Sequence, residues 1–254
     1  MCRHLGYLGP PVPLAALLFD PPYSLARQSW APRDMRGGGT VNADGFGVGW
    51  YGSDPVPLRY RRDRPIWSDP ALPALAAATV SGAVLAAVRS ATVGMPVTET
   101  AAAPFADHAW LFSLNGVVAG WPDSVTGLAG RLPVRDLLLL DAPTDAALVW
   151  ALLRHRLRAG APPADAVTET VGELAAAAPG SRLNLLLTDG RQVVASAAGH
   201  ALSVRAGGGS VLVCSEPLDD DPGWRPVPDG HLVLATADRC EIRPQDWLIE
   251  RGRG

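Results

Sequence analysis

The chain opens Met1-Cys2-Arg3-His4-Leu5-Gly6-Tyr7-Leu8-Gly9. A small side chain follows Met1, so an aminopeptidase can expose Cys2 as the first residue. Cys2 would then carry both a thiol and a free α-amine. An α-amine titrates near ~7.7–8.0, so part of it is unprotonated at neutral pH. It can act as base for its own side chain, directly or through one water. Residues 3–8 have the composition of a strand, which Gly9-Pro10-Pro11 should close. A strand that starts at once holds the terminus inside a sheet instead of letting it fray. The plain alternative is that any residue can follow Met1.

Outward from that strand, Leu14 to Phe19 reads as a short helix, too short for the apolar part of a signal peptide. Gly37-Gly38-Gly39 marks a flexible loop, a candidate lid. Phe46 to Tyr51 alternates glycine with Phe, Val and Trp, as a strand does where another backbone comes close. The long uncharged run Pro70 to Val88 approaches membrane-span length, but it is alanine-rich and contains Pro73 and Ser81-Gly82. It reads as a helix followed by a buried strand. Ala109 to Leu114 is a second buried strand.

The middle of the chain is helical. Thr144-Asp145 caps a helix with Ala146, Trp150, Leu153 and Leu157 as its apolar stripe. Arg154, His155, Arg156 and Arg158 form its solvated face. A second helix spans 164–178, with Val167, Val171 and Leu174 inward, and Pro179-Gly180 stops it. Strands follow: 183–188 and 192–197 around Asp189-Gly190, then 202–205 and 210–215 around Gly207-Gly208-Gly209, then 232–236. Strands, paired helices and hairpins in this order make a layered α+β pattern, not βαβ. With no linker and no repeat, 1–254 reads as one domain.

Composition excludes several functions. Hydrophobic residues make up 48% and charged residues 19%, as in a folded domain. A net charge of −3 offers no basic field for nucleic acid or an anionic membrane. Every cation outside the histidines is arginine. Lysine Schiff bases and Walker loops are therefore excluded. Cys2, Cys214 and Cys240 are too few for a disulfide framework and suit a reducing cytosol. Cys214 and Cys240 read as inert buried thiols. The scattered histidines and the lack of a CxxC pair speak against a structural zinc site, and no cofactor is expected. Asp219-Asp220-Asp221 reads as a solvated loop.

Four further segments can carry chemistry. In Phe112-Ser113-Leu114-Asn115-Gly116-Val117-Val118, Asn-Gly most often means a hairpin turn. Asn115 and Gly116 could instead offer a side-chain amide and a backbone N–H to a developing oxyanion. Arg89 ends an apolar strand, where it is either exposed or paired with a carboxylate of protein or ligand. Asp145 is a helix-start carboxylate that could also hold an ammonium. Gly45, Gly47 and Gly49 have G-x-G-x-G spacing with no helix after them, so a dinucleotide loop is rejected. His4 shares a strand face with Cys2 and reads as a structural hydrogen-bonding residue.

Met-Cys at the start, Asn-Ala-Asp-Gly-Phe-Gly-Val-Gly-Trp at 42–50, Val-Arg-Ser-Ala-Thr at 88–92, Leu-Asn-Gly-Val-Val at 114–118 and Thr-Asp at 144–145 together resemble the class II glutamine amidotransferases. These are N-terminal-nucleophile hydrolases. With Leu-Asn-Leu-Leu-Leu-Thr-Asp-Gly at 183–190 and Ser-Glu-Pro-Leu-Asp-Asp-Asp-Pro-Gly-Trp at 215–224, the chain is similar over its whole length to the γ-glutamyl amidohydrolases of bacterial ergothioneine biosynthesis. The resemblance implies a four-layer αββα sandwich. It also implies Cys2 as nucleophile with its own amine as base, and Asn115 and Gly116 as the oxyanion hole. Arg89 would hold the α-carboxylate of a γ-glutamyl group and Asp145 its α-ammonium. Val88 stands where many amidotransferases carry histidine, and the 42–50 loop departs from their common Arg-Gly-x-Asp-Ser form.

The implied reaction is hydrolysis of γ-glutamyl-hercynylcysteine S-oxide, a small-molecule substrate, through a Cys2 thioester. Its leaving group carries a trimethylammonium, which an aromatic face would suit. Trp50 and Trp110 lie near the motifs, though core packing accounts for either. Two rival readings remain: a glutaminase subunit feeding ammonia to a separate synthase, and an inactive binding protein of the same fold. The sequence leaves the oligomeric state open.

Overall fold

The computed structural model describes residues 2–35 and 41–245. The Gly37–Gly39 loop lies outside the described residues. Among them, two antiparallel sheets lie face to face. The first runs in the order β11 (Arg225–Pro226), β9 (Ser203–Gly207), β10 (Ser210–Cys214), β1 (Arg3–Pro13), β4 (Val80–Val88), β2 (Phe46–Trp50), β3 (Leu58–Arg62). The second runs β13 (Cys240–Pro244), β12 (His231–Ala235), β8 (Val193–Ala197), β7 (Arg182–Thr188), β6 (Trp110–Val117), β5 (Phe105–Asp107).

The period-2 alternation of the strands builds the layers. Leu8, Leu85, Leu111, Leu186, Val213 and Val233 pack between the sheets. Leu5, Tyr7, Val84 and Val88 face outward, under α1 (Ala15–Leu18), α2 (Leu25–Gln28) and α3 (Leu72–Ala78). On the far side Phe112, Leu114, Leu185 and Leu187 meet α6 (Asp145–Arg158) and α7 (Pro163–Ala177), with the short α4 (Thr126–Ala129) and α5 (Val134–Leu138) beside them. Sheets covered outside by helices and joined inside by a largely apolar seam make the four-layer αββα sandwich. No described helix is long and apolar enough to cross a membrane.

Two expectations need correction, and one alternative left open falls away. Gly9-Pro10-Pro11 does not end β1. The strand passes through it to Pro13, with a shift of register between Leu8 and Val12. A bulge leaves residues unpaired, so prolines there cost no ladder hydrogen bond. A side chain at position 9 would come within 2.6 Å of Ser210 Cβ, so glycine lets the strand pass. Next, Asn115-Gly116 is no turn: both lie inside β6, opposite Asn184 and Leu183. Finally, Arg154 is buried, its guanidinium 3.6 Å from Asp136, because α5 covers that face of α6. The edge strands β3, with Arg59, Arg61 and Arg62, and β13, with Glu241 and Arg243, were not anticipated. Charge on an edge guards against further pairing and hides the apolar alternation.

Candidate active site

Cys2 stands at the head of β1, between the ends of β4 and β10. Its Sγ lies 3.8 Å from the Ser90 carbonyl, just past β4. A cleft opens here, and Cys2, Arg89, Gly116 and Asp145 all line it. These residues come from β1, the end of β4, β6 and the start of α6, so both sheets and one helix layer meet at the site.

Arg89 is 8% exposed. Its Nη1 donates to the Pro96 carbonyl at 2.9 Å and the Asp44 carbonyl at 3.4 Å. No carboxylate of the described residues lies within ion-pair distance of it, so its charge is left for an anion in the cleft. The Asp44-Gly45 corner fixes its backbone. Asp44 N–H donates to Arg89 O, Arg89 N–H donates to Gly45 O, and Asp44 Oδ2 accepts the Ala91 N–H at 2.8 Å. Gly45 sits at φ +134°, a conformation that glycine adopts without strain. A side chain at Gly47 would come 2.3 Å from Ala103 O, and one at Gly49 2.7 Å from Leu111. The glycine alternation thus lets β2 lie against the wall of the cleft.

Asp145 is the first residue of α6, and Thr144 caps the helix by accepting the Ala147 N–H at 3.3 Å. The Asp145 carboxylate accepts one backbone N–H per oxygen, from Ala146 at 2.8 Å and Val118 at 3.0 Å. Burial pushes its pKa above the usual carboxylate range, against the pull of those N–H groups and of Arg89. The cleft thus pairs a cation with an anion that do not bond each other.

Gly116 supplies a backbone donor. Leu183, its partner across the ladder, turns both its N–H and its C=O to the other side, toward Ala198 and Ser196. In an antiparallel pair, opposed residues exchange both bonds or neither. The Gly116 N–H therefore points to the free edge of β6, where β5 has already ended at Phe105. A side chain here would meet Arg182 O at 1.8 Å. Asn115 lies behind the cleft wall, fully buried, with Nδ2 donating to Ser215 Oγ at 3.1 Å and Oδ1 unpartnered.

His4 shares the inward face with Cys2 and meets Ser113 Oγ at 3.3 Å. Burial, then His200 and Arg3, lower its pKa to about 3, so it is neutral at physiological pH. Cys214 is buried and its thiol held protonated, and burial raises Cys240 as well. Trp50 and Trp110 pack against the cores and do not line the cleft. Among the described residues, no three His, Cys, Asp or Glu side chains gather as a metal site. Reading the sequence missed Asp44 and Ser215 as site residues. Both stood in quoted motifs, but their partners lie tens to hundreds of residues away.

The family model for class II glutamine amidotransferases matches residues 13–207. The γ-glutamyl-hercynylcysteine sulfoxide hydrolase of Mycolicibacterium smegmatis is 42% identical over 233 residues, covering 92% of this chain and 95% of that one. The protein of the same name from Mycobacterium tuberculosis strain H37Rv is 42% identical over 236 residues, 93% of each chain. A solved class II domain protein from Silicibacter pomeroyi superposes with a TM-score of 0.70 at 24% identity, covering 96% of this chain and 99% of that one. Sequence and fold agree: the chain belongs to the class II glutamine amidotransferases.

Proposed function

We propose that this chain hydrolyses the γ-glutamyl amide of γ-glutamyl-hercynylcysteine S-oxide through a thioester on Cys2. The observation that carries this reading is the unpaired Arg89 and Asp145 across one cleft from the Cys2 thiol. The names and 42% identity of the mycobacterial relatives supply the substrate. The α-carboxylate of the glutamyl head pairs with Arg89 and its α-ammonium with Asp145. With Met1 removed, the Cys2 amine takes the thiol proton, and the thiolate attacks the δ-carbonyl carbon. Gly116 N–H and the Nδ2 hydrogen of Asn115 that Ser215 does not use receive the oxyanion. One such donor is worth ~2.7–4 kcal/mol. The protonated amine passes its proton to the leaving nitrogen, and water releases glutamate.

Room for the leaving group lies across Cys2 from Arg89. There an open pocket, lined by Glu216, Asp219 and Trp224, follows the ends of β10 and β9. Its acids and its tryptophan are engaged by arginines, Glu216 by Arg3 and both Asp219 and Trp224 by Arg205, so this pocket offers space rather than a cation site. The reaction needs a reduced thiol, which a cytosolic location supplies.

Glutamate release by purified protein tests the proposal, with the sulfoxide conjugate and L-glutamine as substrates and Cys2→Ala as control. Turnover of the conjugate well above glutamine, lost in the variant, is expected. Preference for free glutamine would replace the proposal with an ammonia donor. No turnover by a chain whose Met1 is shown by intact mass to be gone would sink both.

A further inference from the structure

Ser215 and Glu216 are buried and take no part in the chemistry above, yet both grip the residues that follow the nucleophile. Ser215 comes directly after β10. Its N–H donates to the His4 carbonyl at 2.9 Å, and its Oγ accepts the His4 N–H at 3.0 Å. The same Oγ accepts Asn115 Nδ2 from the opposite sheet at 3.1 Å. Glu216 holds Arg3, with Oε1 3.0 Å from Nε and both side chains 3% exposed. Its Oε2 accepts the Arg33 N–H at 2.7 Å. The Arg3 guanidinium also donates to the carbonyls of Cys2 and Asp34.

We propose that Ser215 is a positioning residue for hydrolysis. Its hydroxyl sets the Asn115 amide against the strand that carries Cys2, while Glu216 holds that strand through Arg3. The inference rests on the roles proposed above for Cys2 and Asn115. Those two groups come from different sheets, whose shared core is mainly aliphatic. Apolar contact is non-directional and sets no lateral register finer than side-chain packing. Hydrogen bonds prefer a distance and an angle. Next to Cys2, among the described residues, two side-chain bonds cross the seam: Asn115 to Ser215, and His4 to Ser113. Ser215 joins the two sheets at a single atom, its Oγ accepting the His4 N–H on one side and Asn115 Nδ2 on the other. A misplacement of about 1 Å at a reacting centre can cost ~10²-fold. Accepting one Nδ2 hydrogen leaves the second to meet an oxyanion.

The test compares wild type, Ser215→Ala and Ser215→Thr, which keeps the oxygen. Three quantities are read: kcat and KM for the γ-glutamyl conjugate, the Ki of a γ-glutamyl aldehyde that forms a tetrahedral adduct with a thiol, and the rate of Cys2 alkylation by iodoacetamide, followed by peptide mass. Ser215→Ala is expected to lower kcat at least ten-fold and to weaken the aldehyde by a similar factor. KM and alkylation should stay within about two-fold, and Ser215→Thr should recover most of the loss. Should Ser215→Ala not fold, Ser215→Cys fills the space with a weaker acceptor and is read the same way. Unchanged kcat in a folded variant would overturn the inference. So would a loss of kcat without loss of aldehyde affinity, or a parallel loss of alkylation, which marks general damage to the Cys2 strand. If wild type binds the aldehyde but leaves the conjugate intact, the substrate assignment fails alone, because the aldehyde has no leaving group.

Discussion

Asp145 is asked to do two things with one carboxylate. It accepts N–H groups from Ala146 and Val118, and it faces the cleft opposite Arg89. Burial raises its pKa, so it protonates at a higher pH than an ordinary aspartate. An ammonium is held only by the ionised form. The acid limb of kcat/KM is therefore expected above the usual carboxylate range near ~3.9. Asp145→Asn should weaken substrate binding at pH values where Asp145 is ionised, approach wild type below that limb, and remove the limb itself; a pH–rate profile in both enzymes reads it. Gly116 is constrained by space, since an added Cβ would stand 1.8 Å from the Arg182 carbonyl oxygen. That atom is backbone, so β6 or β7 must move. Gly116→Ala is expected to lower kcat at least ~10²-fold, the size of a lost oxyanion donor. Wild-type turnover in this variant would show that displacing the Gly116 N–H costs the transition state nothing.

α6 carries Asp145 at its first turn and Trp150 one and a half turns on. Trp150 is 1% exposed and stacks on Phe112 of β6, with ring centroids 5.3 Å apart. This contact seats the helix on the strand that bears Asn115 and Gly116. Trp150→Ala should cost ~3–5 kcal/mol of stability, as buried aromatic truncations do. It should also raise KM through the loosened Asp145; denaturant melts and steady-state kinetics check the two effects. The elements themselves were largely legible. The Asp189-Gly190 hairpin joins β7 and β8, and Gly190 takes φ +84° as such a turn requires. The Thr144 cap and the Val167, Val171, Leu174 stripe are where helical spacing put them. Arg154 was not, because its burial depends on α5 arriving from elsewhere and bringing Asp136.

Between the sheets, the aliphatic seam gives way near Cys2 to polar groups: His4, Ser113, Asn115, Ser215, Asn184 and His200 are all nearly inaccessible. Asn184 is fully used, holding Ala198 and His200 through Oδ1 and the His200 and Ala201 carbonyls through Nδ2. The pKa of His4 falls to about 3 and that of His200 to about 4, burial being the largest cause in each. In the unfolded chain both titrate near 6.5. Between about 6.5 and these values the unfolded state binds more protons, so stability falls as pH falls through that window. Melting temperature should decline steadily from pH 6.5 to 4. His4→Asn, which retains a polar atom for Ser113, should flatten part of the decline.

Short-range chemistry marked the proposed nucleophile, the helix cap, the glycine-lined strand and the strand-end arginine, because each depends on neighbours within a few residues. The layering followed from period-2 and helical patterns of apolar residues, whose burial is collective and tolerant of detail. Asn115-Gly116 shows where that reach ends. The pair prefers a turn locally, yet lies in β6 because the ladder with β7 and the packing of Leu114 and Phe112 outweigh it. Arg89 finds carbonyls of Pro96 and Asp44 instead of a carboxylate, and Ser215 joins His4 to Asn115. Ser215 and His4 are more than two hundred residues apart in the chain. Such pairings depend on which strand ends converge when two sheets stack, and no local preference along the chain encodes that convergence.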